Sequence, residues 1–447
     1  ALQSVLDGTS APMRVRVRRG TVTPDFILRL DSTHGMGHMD TWGSGDAPVL
    51  QVTGQSLALT IKDTNETQIT ISGIAFEGPW DPTTETGFDP GFIRIRDRDV
   101  TCTYLFHDCA ISGFKNIDIN SGVDVPDNRI MFADCAITDW RNFGFFLDKS
   151  HEGYFALIGS RIAQNPDALN GGGKNGLHND HGPIRITDTG TVYIAVCDFY
   201  TNAGWSRSVR DTQPCIRVNS SGEGGKTYVL DRNVLEGGFA PVEAQSYNFE
   251  QIDYPGNYLV DRMLVIGTSR TTAALLSWDF GGTTIRNVIG IMPDIVPFES
   301  RPDAMFRFNA DNEVASEAAN QEASIEIYNC TGLSLVSAAN DNGYPMDLFK
   351  NLDYFTGSDA FNNIIHTPFG TTSLTASAPV NLSVAMPGLG DLPLAPRHKG
   401  LRFNFEPLSG TFSLDVPNGT SVTVPYSVIT RVDTIGNGSA TPTDQAY

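Results

Sequence analysis

A two-part strand repeat constrains this chain more than any other feature. Four segments begin alike: GFIRIRDRD at residue 91, GPIRITDTG at 182, PCIRVNSSG at 214 and AMFRFNADN at 304. Each reads as a short apolar–Arg–apolar strand followed by a polar turn. A second segment type follows at varying distance: YLFHDCAISGF at 104, IMFADCAITDW at 130, VYIAVCDFYTNAGW at 192, TYVLDRNVLEGGF at 227 and SIEIYNCTGL at 324. These share a strand, a small or polar residue, a second apolar pair, and then Gly or Asn. Variants of the first type, NIDINSG at 116 and GFFLDKS at 144, fill the rungs between the arginine strands. Successive starts lie roughly 24 to 39 residues apart, with the excess placed in loops. Strands that repeat at this length without crossover helices specify an all-β parallel solenoid, each turn stacked on the last. A β-sandwich, the rival fold, predicts alternation but not the recurring two-segment register.

The repeat sets the expected domain organisation: a parallel β-helix over 1–340, an extended wrapping or linker segment over 341–395, and a small β-rich unit over 396–447 with a mobile tail. Residues 1–7, within ALQSVLDG, read as a short amphipathic helix capping the open end of the stack. That opening is not a signal peptide, and the expectation is that a leader or an upstream domain has been removed. After about residue 340 the register fades into a stretch rich in Pro, Gly, Ser and Leu. From LRFNFEPLSG onward, period-two alternation returns, as in antiparallel strands.

The early segments MRVRVRRGTVT and STHGMGHMDTWGSGDAPVL carry a resemblance. They are similar to the opening coils of the pectate-lyase-like right-handed parallel β-helix superfamily, in which a strand, a polar turn and a Trp/Tyr-Gly-x-Gly…Pro-Val pattern recur. The resemblance spans most of residues 1–340 as architecture. It implies a right-handed parallel β-helix and activities drawn from polysaccharide lyases, glycoside hydrolases and phage tailspikes.

Composition excludes several partners. The formal net charge of −20 opposes non-specific binding to nucleic acid or to an anionic membrane surface. No apolar run reaches the roughly 18 residues of a membrane span, so the sequence reads as soluble. The six cysteines form no CxxC pair and sit in apolar strand-like runs, which favours buried thiols over a zinc or redox site. Nothing in the sequence requires a cofactor; the many acids are compatible with Ca2+, although no EF-hand or RTX-like repeat occurs.

In an Ile-Arg-Ile strand the side chains alternate between faces, so core-facing isoleucines send the arginine outward. Stacked coils are about 4.8 Å apart, which makes Arg185 and Arg217 neighbours on one outer sheet. Like charges so placed repel, and in an acidic protein they point to an anionic partner such as carboxylate or sulfate. The alternative is that each arginine pairs with a local acid such as Asp188 or Glu243. Just before the Arg185 strand, KNGLHNDH delivers Lys174, His178, Asp180 and His181. WSRSVRDTQP, the next long loop, brings Arg207, Arg210 and Asp211 alongside. Any one of these histidines is also readable as a loop hydrogen-bonder; their convergence with Arg185 and Arg217 makes the candidate groove.

Two chemistries fit that groove. Eliminative cleavage of a uronate polymer needs a base for the C5 proton and a cation at the carboxylate. His181, His178 or Lys174 supplies the base, and Arg185 or Arg217 the cation. Hydrolysis needs two carboxylates about 5 to 9.5 Å apart, for which Asp148, Asp180, Asp211, Glu236 and Glu243 are available. The stretch from GPIRITDTG to CIRVNSSG also resembles the alginate-lyase and chondroitinase-B family of β-helix lyases, which has an Ile-Arg-Ile-Gly strand and an Asn-Lys-Ser turn one coil later. Here that turn is Asn219-Ser220-Ser221, without the family's catalytic lysine, so elimination would need another base. The expectation is therefore an acidic-polysaccharide-degrading enzyme, lyase before hydrolase, secreted or at the cell surface. The alternative is a tailspike-like adhesin, trimeric in that case, that binds or hydrolyses surface polysaccharide.

Overall fold

The computed structural model describes residues 13–31, 33–54, 58–62, 68–81, 83–84, 87, 91–96, 101–119, 128–141, 143–147, 153–163, 182–187, 190–200, 215–220, 226–237, 242–246, 257–267, 274–278, 282–292, 304–308, 325–334, 347–350 and 358–366, together with strands at 401–404, 410–415, 421–426 and 431–434. The expected capping helix over residues 1–7 lies outside the described residues.

Strand alternation becomes architecture at once. Ile93 and Ile95 are fully buried while Arg94 between them is half-buried, as the pleat requires. A strand this short cannot bury its apolar side alone, so it pairs with its counterpart one coil on. Repeated along the chain, this pairing yields three parallel sheets of twelve, twelve and eleven strands. The first begins with Met13–Arg18, the second with Val22–Thr23 and the third with Leu28–Leu30. Each coil contributes one strand to each sheet in turn, so every strand's neighbours lie one coil before and after it. The chain is a right-handed parallel β-helix, the hand that parallel crossovers adopt. The stack continues past residue 340, where the sequence register fades, through Asp347–Lys350, Asp359–Phe361 and Ile364–His366. Beyond it, Leu401–Asn404 pairs antiparallel with Arg431–Thr434, and Gly410–Asp415 with Ser421–Tyr426.

The core runs along the solenoid axis as columns of like side chains. Phe106 and Phe132 stack at 4.5 Å with planes 7° apart, and Phe145 meets Phe132 edge-on at 4.8 Å. All six cysteines are buried free thiols. Burial pushes the Cys197 and Cys330 thiols up to about 12 each, which leaves them protonated and unreactive at neutral pH.

The turn from the first sheet to the second repeats one conformation. Gly73, Asp108, Asp134, Gly159, Val196, Arg232, Arg262, Asn287, Asn329 and Asn362 all have φ between 51° and 70°. Their amides reach the next coil: Asp108 N–H donates to Ala133 O, Asp134 to Ile158 O and Arg232 to Asp261 O, each within 3.0 Å. The residue that follows points inward and closes the corner. Asn233 accepts from Cys197 N–H through Oδ1 and donates to Ile194 O through Nδ2, both at 2.9 Å. Asn363 repeats this with Cys330 and Ile327.

Val196 is the discordant member of the series. A β-branched residue at φ 59° is strained, whereas Asn tolerates that region and occupies it at residues 287, 329 and 362. Val196→Asn should therefore raise the unfolding free energy by about 1 kcal/mol, read as a higher midpoint in urea with an unchanged slope. A lower midpoint would mean that the valine side chain contributes more than its backbone costs.

Candidate functional site

One outward column of the third sheet collects the arginines of the repeated apolar–Arg–apolar strands. Arg29 pairs in register with Thr60, Thr60 with Arg94, and Arg94 with Asp118. The column passes through Phe146 to Arg185, and Arg185 is the direct register partner of Arg217. It then runs to Glu243, Ser277, Arg307 and Lys350. Among the residues whose side chains are described, five arginines and one aspartate thus share this line of the sheet, and Glu243 and Lys350 hold register positions on it. Two residues further along the strands, Thr187, Asn219 and Gln245 share one register.

Arg185 is seated by aromatic rings. Its guanidinium lies 5.6 Å from the Phe146 ring centre and 5.9 Å from that of Phe143. The two rings stack on each other at 5.4 Å. A cation over ring faces is held electrostatically by the ring quadrupoles. The backbone makes this seat possible: a Cβ on Gly144 would fall 2.5 Å from Pro183 O and 2.9 Å from Ile162 Cγ2. Glycine there lets the strand Phe143–Leu147 approach Gly182–Thr187 closely enough to bring both rings under Arg185.

Arg217 is in a different environment, with 9% of its surface exposed. Glu243 occupies the adjoining rung, so the local acid named as an alternative partner for an arginine is its register neighbour. Opposite charges on adjoining rungs favour each other. Arg185 therefore sits between an aromatic seat and a like charge, and Arg217 between a like charge and an acid.

The other predicted residues divide clearly. Lys174, His178, Asp180 and His181, together with Arg207, Arg210 and Asp211, lie outside the described residues, as do Asp148 and Asp188. Glu236 is on the second sheet, in Val234–Glu236, and not in the arginine column. Among the described residues, no group of three or more His, Cys, Asp or Glu is arranged to hold a metal ion. None has a helix long and apolar enough to cross a membrane. The ring seat of Arg185 escaped the sequence reading. Its only trace there is NFGFFL, where Phe146 falls on an outward position and Phe143 opens the strand.

No protein-family model matches the sequence, and no curated protein matches it. Among solved structures, the chain is similar to the catalytic domain of a GH87 alpha-1,3-glucanase variant in complex with nigerose. Identity is 11% and the TM-score 0.30, over 80% of this chain and 63% of that one. The chain thus spans just under two thirds of that domain's length.

Gly144→Ala should force the two strands apart and cost roughly 2 kcal/mol or more of stability, because the obstructing atom is a backbone carbonyl. An unfolding midpoint equal to that of the unsubstituted chain would show that Phe143–Leu147 and Gly182–Thr187 do not need the close approach.

Proposed function

We propose that the chain binds and cleaves an acidic polysaccharide laid along the outward column of the third sheet, by β-elimination in preference to hydrolysis. The observation that carries this reading is the gathering of Arg29, Arg94, Arg185, Arg217 and Arg307 on one register line of a chain whose net charge is −20. A polyanion approaching such a protein is repelled everywhere except where cations are gathered. The planar forks of Arg185 and Arg217 suit a carboxylate, and the ring seat keeps Arg185 aimed outward.

Neutralising a uronate carboxylate makes its C5 proton more acidic. In the proposed reaction His181 takes that proton, the C5–H electron pair becomes the C4=C5 double bond, and the C4–O bond breaks. The departing oxygen takes the proton back from the His181 imidazolium, and a new non-reducing end carries the unsaturation. His178 and Lys174 are the alternative bases, with Asp180 raising the proton affinity of its histidine neighbours. Arg207, Arg210, Asp211 and Glu243 are assigned to substrate binding in the same proposal. Hydrolysis would instead need a carboxylate pair about 5 to 9.5 Å apart. A secreted or cell-surface location belongs to the same proposal.

The test is incubation with alginate, polygalacturonate and chondroitin sulfate. The expected outcome is ultraviolet absorbance from the new C4=C5 bond. His181→Ala should lower turnover by about 10² or more with folding intact, and Arg185→Ala should chiefly raise KM. New reducing ends without that absorbance would mean hydrolysis, and retention of polymer without cleavage an adhesin. Full activity in His181→Ala would reduce its loop to scaffold.

A further inference from the structure

The first two strands of the first sheet carry a second concentration of charge, remote from the arginine column. Met13–Arg18 turns Arg14, Arg16 and Arg18 outward, and Met36–Trp42 sets His38, Asp40 and Trp42 beside them in register. Three arginines thus face one aspartate. Arg14 is committed to that aspartate, donating to Asp40 Oδ2 through both Nε and a terminal nitrogen. The pairing raises the proton affinity of Arg14 and holds the Asp40 carboxyl below the usual carboxylate range. Arg16 is 3.6 Å from Asp40 Oδ1 and 52% exposed. Arg18 lies 5.9 Å from the centre of the Trp42 ring.

Further along the same sheet the outward column loses its charge. Arg14, His38 and Thr70 give way to Leu105, Met131 and Ala156. The three-arginine cluster belongs to the opening coils, and Arg129 and Arg286 stand singly further along the sheet. Charged residues on a terminal strand discourage edge-to-edge pairing, which would account for the arginines. It does not account for Trp42, an indole left 47% exposed one strand inward. A flat apolar ring face next to guanidinium forks matches the two halves of an acidic sugar: the C–H face of a pyranose ring and its anionic substituent.

We propose that Arg16, Arg18 and Trp42 form a second anchoring site for an anionic polysaccharide, taking a sugar ring on the indole and its carboxylate or sulfate on the two guanidinium groups. This rests on the reading of the third-sheet column as the site for an acidic polymer. Trp42 is on the second coil, and Arg185 and Arg217 are on the sixth and seventh. At about 4.8 Å per coil, roughly 20 Å separates them along the axis, so one long chain can engage both and gain avidity.

The experiment is affinity electrophoresis of the full chain in gels containing alginate (carboxylate) or dextran sulfate (sulfate), with neutral dextran as control. Arg16→Gln/Arg18→Gln and Trp42→Ala should each weaken retention by about tenfold on at least one anionic polymer, with Trp42→Phe restoring most of it. Loss on alginate assigns carboxylate as the recognised group, and loss on dextran sulfate assigns sulfate. Circular dichroism melts identify any variant that fails to fold, and Trp42→Gln then replaces Trp42→Ala as the variant without a ring. Unchanged retention in these variants, with Arg185→Ala still weakening it, overturns the anchor alone. If the unsubstituted chain is retained by neither anionic polymer, the third-sheet reading fails as well. Altered sedimentation of the variants without polymer overturns the anchor in favour of contact with a second copy.

Discussion

The turn between the first and second sheets is the constraint on which the rest of the solenoid depends. A single residue in the left-handed region turns the chain from one sheet to the next, and its amide is donated to the adjoining coil. Because the same turn recurs at every coil from Gly73 to Asn362, each coil inherits the register of the last. Lateral position in all three sheets follows from it. A one-residue slip at any corner would send every inward side chain of that coil outward. The buried Asn233 and Asn363 bridges, which satisfy backbone groups on adjoining coils, oppose such a slip.

Charge is used along the same axis. Asp231 and Asp261 are nearly inaccessible, yet each accepts from an arginine one coil on: Arg262 binds Asp231 at 2.8 Å through two nitrogens, and Arg286 binds Asp261 at 2.9 Å. Asn287 adds a further donor to Asp261 at 2.8 Å. Pairing in this way repeats with the coil spacing and holds charges that would be costly alone. The third-sheet column differs, because its cations outnumber its carboxylates along a single line.

Much of the fold was legible because parallel stacking turns similarity along the chain into adjacency in space. The Ile-Arg-Ile pattern at 184–186 and the Ile-Arg-Val pattern at 216–218 were enough to make Arg185 and Arg217 neighbours. HDCAI and ADCAI marked the corner, with Asp108 and Asp134 as its left-handed residues and Cys109 and Cys135 buried behind them. The Phe143–Phe146 seat was less legible, since it depends on a glycine approach between strands far apart in sequence. The strands at 347–350, 359–361 and 364–366 lack the arginine signature and join the stack through register alone. The histidine-bearing loop before Arg185 has no periodicity to read, so its residues entered by chemical type only.

The central claim, that an acidic polymer lies on the third-sheet column, is tested most directly by hydroxyl-radical footprinting of side chains with and without alginate. Phe146 is half-buried beneath Arg185, and Met131, on the same coil, is half-buried on the outward face of the first sheet, away from the arginine column. The account predicts that alginate slows modification of Phe146 several-fold and leaves Met131 unchanged. Protection of Met131 with Phe146 unaffected would contradict it.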